Sequence, residues 1–110
     1  MRLAARLGLP FQASRATPGE LEPVARDWAG LGGGFLGHRI YVEEGTRVPD
    51  GEQVARHTLT GSAGQLLAGM IAYRDLGVGD LSMVLGHDDT SARRTLDVLL
   101  RDVLPALAAA

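Results

Sequence analysis

Cysteine and lysine are both absent from the 110 residues, and aromatic residues make up only 5%. Without cysteine the chain can form neither a disulfide framework nor a thiolate metal site. Neither sign of charge is in large excess, since 11 arginines and 13 acidic residues give a net charge of -2. The sequence therefore offers no basic face for a nucleic acid. Apolar runs fall short of the ~20 residues that cross a bilayer, and the N-terminus lacks the apolar core of a secretory signal. The sequence therefore predicts one soluble, cytoplasmic domain with neither nucleic-acid nor membrane partners.

Helical and strand-like segments alternate along the chain, in the order α, β, α, β, α, β, α. Such alternation predicts an α/β fold whose parallel strands are joined by right-handed helical crossovers. The predicted strands cover residues 9–14, 38–44 and 80–86. The predicted helices end at Gly8, begin at Thr17, begin at Thr60 or Ser62, and begin near Thr90. Three parallel strands leave both sheet edges unpaired, so we expect the chain to be incomplete.

Local patterns refine the helices. Thr17-Pro-Gly-Glu20 has the spacing of a capping box, and Pro23 predicts a kink or a late start in the helix that follows. The glycine-rich stretch 30–37 precedes a strand instead of following one, which favours a plain linker over a phosphate loop. The residues predicted to face inward are Leu21, Val24, Trp28 and Leu31, then Leu66, Leu67, Met70 and Ile71, then Leu96, Leu99, Leu100, Val103, Leu104 and Leu107.

The most specific candidate for chemistry is Gly86-His87-Asp88, directly after the last predicted strand. In parallel α/β folds the functional residues follow the carboxyl ends of the strands. His87 could pass a proton there, with the Asp88 carboxylate setting its tautomer, so these two are the predicted catalytic residues. The alternative is a surface turn in which an aspartate caps the last helix. Glu43 and Glu44 also end a strand, but alternation lets only one of them enter a pocket.

Other candidates lie in and after the long polar connection. Arg47 and Arg56 could clamp an anionic substrate, although solvated arginines are the alternative. His57 precedes Gly61 and Ser62, where the amides of a helix start could hold an anion unless the helix is simply self-capped. We predict Arg47, Arg56 and His57 as substrate-binding residues. No metal site is predicted, because the three histidines are 19 and 30 residues apart.

Three segments, read together, resemble the luciferase-like monooxygenases, the flavin- and F420-dependent oxidoreductases. Residues 61–86 resemble the family's pattern of Gly-Ser/Thr, a helix ending in Tyr, Ala-Gly-Val and a leucine-containing strand. Residues 96–107 resemble the last barrel helix, which ends in a Val-Leu-Pro-like triplet. Ala4-Ala-Arg-Leu-Gly8 and Thr17-Pro-Gly-Glu-Leu21 resemble the upstream segment. The family's Asp-Gly-Trp is missing after Gly8, and Ala63-Gly64 stands where Pro-Glu is usual.

The resemblance implies a (β/α)8 barrel, which needs about 250 residues, so residues 1–110 would be a single partial barrel domain of about the last three βα units. It implies an oxidoreductase or monooxygenase that uses FMN or F420 and a small-molecule substrate. Gly61 and Ser62 would be cofactor-binding residues, and His87 with Asp88 resembles a Gly-His-Asp turn of F420-dependent sugar-phosphate dehydrogenases. Since the family's phosphate-binding segment precedes the matched region, we expect no turnover by this portion alone. The alternative is a non-catalytic half-barrel module that forms a homodimer.

Overall fold

Three helices begin at side-chain caps in the computed structural model, which describes residues 1–14, 16–45 and 58–110. Thr17 caps α2 (Pro18–Gly30), Ser62 caps α3 (Ala63–Asp75), and Asp88 caps α4 (Asp89–Val98). In each case the side chain of the capping residue accepts a hydrogen bond from the backbone N–H of the third helical residue. The side chain of that third residue accepts one from the backbone N–H of the capping residue, so donors that a helix start otherwise leaves unpaired are satisfied. The predicted helix starts are confirmed.

Prolines have different effects in two of the helices. Pro23 lies inside α2, which begins at Pro18, so the predicted late start is wrong. The last helix instead continues from α4 through a π-helical turn, Leu99–Val103, into α5 (Leu104–Ala109), where Pro105 lies in the first turn. Pro105 cannot donate to the carbonyl of Arg101, and the wide turn lies where that bond is missing. A short α1 (Arg2–Arg6) precedes these elements.

In the described part of the chain, parallel strands form one sheet around a long central strand. The strands are β1 (Phe11–Ser14), β2 (Leu36–Glu44), β3 (Thr58–Gly61) and β4 (Val78–Leu85). β4 pairs along one edge of β2, while β1 and β3 pair with the first and second halves of β2. Since a strand has two edges, β1 and β3 share the edge opposite β4. The three predicted strands are confirmed, but β3 was expected to belong to a loop and a helix start.

The two faces of the sheet differ in chemistry. Ile40 and Val42 of β2 are buried on the face that carries the helices, and α3 contacts α2, the π-helical turn and α5 there. Alternation along β2 directs Arg39, Tyr41 and Glu43 to the opposite face, where Arg39 is exposed and Tyr41 half-buried. The apolar core therefore lies between the sheet and one helical layer.

A polar cluster ties this helical layer to the start of β2. His38 is completely buried, with its Nε2 2.8 Å from the carbonyl oxygen of Ala16. The Tyr73 hydroxyl of α3 donates to the same oxygen at 2.7 Å, and the two rings lie 5.1 Å apart. Both side chains therefore hold the segment that follows the carboxyl end of β1 against β2 and α3.

The inward faces of the helices are only partly as predicted. Leu21, Trp28, Leu66, Met70, Leu99 and Val103 are buried, as expected, and Ala25, Tyr73 and Val78 join them. Leu31 is 39% exposed, and Leu96, Leu100 and Leu104 are 45%, 59% and 36% exposed, so these four predictions are wrong. The last helix buries only a narrow stripe because one side alone faces the sheet. No helix in the described residues is long and apolar enough to span a bilayer.

Candidate functional site: a carboxylate–histidine pair at the carboxyl ends of two strands

Two adjacent strands end together and bring their following residues into contact. Val42 of β2 lies opposite Leu85 of β4, and the Gly86 amide continues the ladder by donating to the Val42 carbonyl at 2.8 Å. Glu43 is the next residue of β2, and His87 follows Gly86. The parallel register therefore juxtaposes two side chains that are 44 residues apart in the chain.

The His87 ring lies between two carboxylates. Its Nδ1 contacts Oε1 of Glu43, while its Nε2 is 3.1 Å from Oδ2 of Asp88. The Glu43 side chain is 1% exposed, that of His87 is 23% exposed and that of Asp88 is 56% exposed. The imidazole thus has one nitrogen facing the interior and the other beside a solvated acid.

Gly86 and Ser91 shape the turn that presents the ring. Gly86 has a φ of +67°, and a Cβ there would stand 2.4 Å from the Ala92 nitrogen, so the turn requires glycine. The buried Ser91 hydroxyl accepts from the His87 amide at 2.9 Å and from the Asp88 amide at 3.1 Å, and it donates to the Asp88 carbonyl at 3.1 Å. These bonds fix the backbone on both sides of His87.

Asp88 both caps the last helix and contacts the imidazole, whereas the sequence left a cap and a partner of His87 as alternatives. Its Oδ1 accepts from the Ser91 amide at 2.8 Å, which is the helix cap, and its Oδ2 faces His87. Capping and contact with the imidazole are compatible because the carboxylate has two oxygens. A capping role alone does not account for the geometry.

Glu43 is the site residue whose pairing the sequence did not predict. Its Oε2 is buried and has no hydrogen-bond partner among the described residues. The neighbouring Glu44 turns to the helical layer, where its carboxylate lies 2.9 Å from Nε of Arg94. The expectation that the two acids point to opposite faces of the strand is confirmed. The sequence did offer one signal for this pair, an acid at the end of one strand and a histidine just after another. Using that signal required knowing that β2 pairs with β4.

The other predicted site residues lie elsewhere or outside the described residues. Arg47, Arg56 and His57 belong to the part of the chain that the structure does not describe. Gly61 ends β3 with a φ of +126°, opposite Glu44. The Ser62 amide donates to Oε1 of Gln65 at 2.9 Å, and its hydroxyl accepts from the Gln65 amide at 3.3 Å. The helix start is therefore self-capped, and its use as an anion site stays a prediction.

A cavity away from His87 lies at the other end of the sheet. It has a volume of about 460 Å³ and is lined by Pro10, Phe11, Phe35 and Gly37 at the amino ends of β1 and β2. Parallel sheets bind ligands at the carboxyl ends of their strands, so we assign this cavity no role in the candidate chemistry. Within residues 1–14, 16–45 and 58–110, no group of three or more His, Asp or Glu side chains is arranged to hold a metal ion.

The chain matches no protein-family model, no curated protein and no solved structure. The geometry around His87 and the resemblance described above are therefore what bears on function. That geometry suits proton transfer, because a buried carboxylate can orient an imidazole whose second nitrogen remains near solvent.

Proposed function

We propose that the chain forms the C-terminal portion of a cytoplasmic, luciferase-like oxidoreductase that uses FMN or F420. In this proposal His87 exchanges a proton with a small-molecule substrate. The observation that carries it is the contact of His87 with Glu43 and Asp88 at the carboxyl ends of β2 and β4. Barrel enzymes carry their active sites at the carboxyl ends of their strands.

The strand arrangement supports the barrel part of the proposal. β1, β2 and β4 are parallel and lie side by side in chain order, with α2 and α3 in the intervening connections. Doubly wound sheets differ, since they reverse the strand order and place helices on both faces. A barrel keeps its helices on the outside and directs alternate strand residues inward. The polar face with Arg39 and Tyr41 would then face the interior of the barrel. β3 occupies part of the β2 edge that β1 leaves unpaired.

The proposed cofactor follows from the resemblance, and the residues of this chain fit the substrate side better than the cofactor side. FMN or F420 would supply the hydride or oxygen chemistry. Gly61 and Ser62 stay the predicted cofactor-binding residues, but the Ser62 amide is bound to Oε1 of Gln65, whose side chain lies over Gly61, so a phosphate could use that amide only after Gln65 turned away. The part of the site assigned to this chain is therefore the proton-transfer group.

The DNA upstream of the Met1 codon tests the proposal directly. We expect a glycine-rich βα segment in frame, or displaced by a single frameshift, because the family's phosphate-binding segment precedes the region matched here. A separate promoter and an unrelated gene at that position would contradict the proposal. The joined reading frame would then be expressed and assayed for oxidoreduction with F420 and with FMN.

In that joined enzyme, His87→Gln is expected to lower kcat by about 10²-fold or more, the range for loss of a general acid or base. Thr90→Ala is the matched control, since this exposed residue lies in the first turn of the helix that follows His87. Steady-state kinetics of both variants decide the matter. Equal kcat values for His87→Gln and the unsubstituted enzyme would remove His87 from the mechanism.

A specific observation also favours the second candidate function, a homodimeric module. Leu96, Leu100 and Leu104 follow one another at intervals of four on the last helix, and all three are exposed. Residues at this spacing share one helical face, so they form an apolar stripe that a second copy could cover. Such a dimer needs neither a cofactor nor a substrate.

A further inference from the structure

We infer that Glu43 is a positioning residue that holds His87 in the Nδ1–H tautomer, so that the substrate exchanges its proton with Nε2. The inference rests on the proposed role of His87 in proton transfer and specifies which nitrogen acts. It also assigns a function to a buried acid that the sequence did not connect with His87.

The backbone places Glu43 rigidly. It lies in the last part of β2, which pairs with β4 on one edge and with β3 on the other, where Glu43 is opposite Thr60. The preceding residue, Val42, is completely buried. A carboxylate on a strand held from both sides has little freedom to move away from the ring.

Hydrogen-bond chemistry determines the tautomer. An ionised carboxylate only accepts hydrogen bonds, so Oε1 of Glu43 favours a hydrogen on Nδ1 and Oδ2 of Asp88 favours one on Nε2. In the neutral ring we assign the single hydrogen to Nδ1, because a hydrogen bond to the buried Glu43 is electrostatically stronger than one to Asp88, whose side chain is 56% exposed. Ser91 Oγ also lies 3.1 Å from Nδ1, but its own hydrogen is directed to the Asp88 carbonyl, so it offers no competing donor. The Ser91 hydroxyl already accepts the His87 and Asp88 amides, so Oε1 of Glu43 is the acceptor that favours a hydrogen on Nδ1.

Exposure then identifies the working nitrogen. Nδ1 faces two buried residues, Glu43 and Ser91, which are 1% and 2% exposed. Nε2 faces Asp88, whose side chain is 56% exposed and whose other oxygen is bound to the Ser91 amide. A substrate arriving from solvent meets Nε2 and the solvated oxygen of Asp88, and cannot reach Nδ1 without displacing buried groups.

The test is the tautomer of His87, measured by long-range ¹H–¹⁵N correlation on the 110-residue chain with ¹⁵N-labelled histidine, at a pH where the ring is neutral. His87→Gln assigns the signal among the three histidines. We expect Nδ1–H as the major form in the unsubstituted chain, whereas a solvated histidine favours Nε2–H. A major Nε2–H signal would overturn the inference whatever the variants do.

Two variants separate positioning from a merely structural role. Glu43→Met removes the acceptor while keeping an apolar chain of similar length, and it is expected to shift the ring toward the Nε2–H form. Glu43→Gln retains a carbonyl acceptor and should restore Nδ1–H. Asp88→Asn is the control and should keep the Nδ1–H form, because Asp88 faces the other nitrogen. A folded Glu43→Met variant that keeps Nδ1–H would contradict the inference.

The outcome is independent of the proposed enzyme. If the chain shows Nδ1–H and the joined reading frame shows no activity with F420 or FMN, the oxidoreductase proposal fails while the tautomer that Glu43 imposes on His87 stands. If the joined enzyme is active and loses activity with His87→Gln but His87 is in the Nε2–H form, the positioning inference alone fails.

Discussion

At the scale of single residues, the buried phenol of Tyr73 makes the free energy of unfolding fall as the pH rises in the alkaline range. Burial, with a smaller contribution from the nearby charge of Glu20, raises the pKa of Tyr73 to about 12. Because the folded-state pKa is raised, the stabilisation is complete below the unfolded value of about 10 and is lost as the pH rises through the folded value. We expect Tyr73 alone to reduce the free energy of unfolding by about 3 kcal/mol across that interval.

Urea unfolding at neutral pH and at a series of alkaline pH values checks this expectation. Tyr73→Phe is the comparison, since it keeps the ring and removes the titrating group. The Phe variant should lose about 1 kcal/mol at neutral pH with the hydrogen bond to Ala16, and should lose less than the unsubstituted chain on further alkalinisation. Parallel pH profiles for the two proteins would show that Tyr73 does not titrate as described.

Gly86 is the residue whose backbone the site requires. Gly86→Ala puts a Cβ at a φ of +67° and 2.4 Å from the Ala92 nitrogen, which we expect to destabilise the fold by about 2 kcal/mol or more. Fluorescence of the single tryptophan, the buried Trp28, reports unfolding in urea. Gly19→Ala is the matched control, because the Cβ that this substitution adds would have no atom within 4 Å. Equal losses in the two variants would contradict the strain argument.

At the scale of elements, the helix caps set where helices begin and contribute measurably to stability. Ser62→Ala removes the acceptor for the Gln65 amide at the start of α3 and is expected to cost about 1 kcal/mol. Thr90→Ala removes an exposed hydroxyl in the first turn of α4 and should change stability little. Thermal unfolding followed by circular dichroism compares them. A Ser62→Ala midpoint equal to that of Thr90→Ala would mean that the capping box is not stabilising.

Element scale is also where prediction from sequence succeeded best and where its first errors arose. Thr17, Ser62 and Asp88 are recognisable because cap, spacing and first-turn partner are contiguous in the chain. β3 was not recognised, since Thr58–Gly61 is short and has no alternation of its own. It is a strand because the second half of β2 has a free edge there, which is a property of the sheet.

At the scale of the whole molecule, the exposed leucine stripe makes the homodimer testable. If Leu96, Leu100 and Leu104 are covered by a second copy, Leu100→Glu should convert a dimer to a monomer, because it places a charge in the middle of a buried apolar stripe. Light scattering coupled to size exclusion measures the mass directly. Leu7→Glu is the control, since Leu7 directly follows α1 and is 62% exposed.

The unsubstituted chain provides the decisive outcome for this candidate. A monomer at all accessible concentrations would contradict the homodimeric module. A dimer that persists with Leu100→Glu would move the interface away from the stripe, to the polar face of the sheet or to the edge of β4 that faces away from β2.

The sequence by itself determined the local structure. Caps, apolar periods and glycine positions depend on residues a few places apart, and they predicted the alternating elements, the parallel sheet and the turn that carries His87. Only the tertiary structure decided which leucines remain exposed, since the width of the buried stripe depends on what the last helix packs against. It also decided that Glu43 meets His87. That contact arises from the register of Val42 with Leu85 in a parallel ladder, and register is a relation between two strands that neither strand specifies alone.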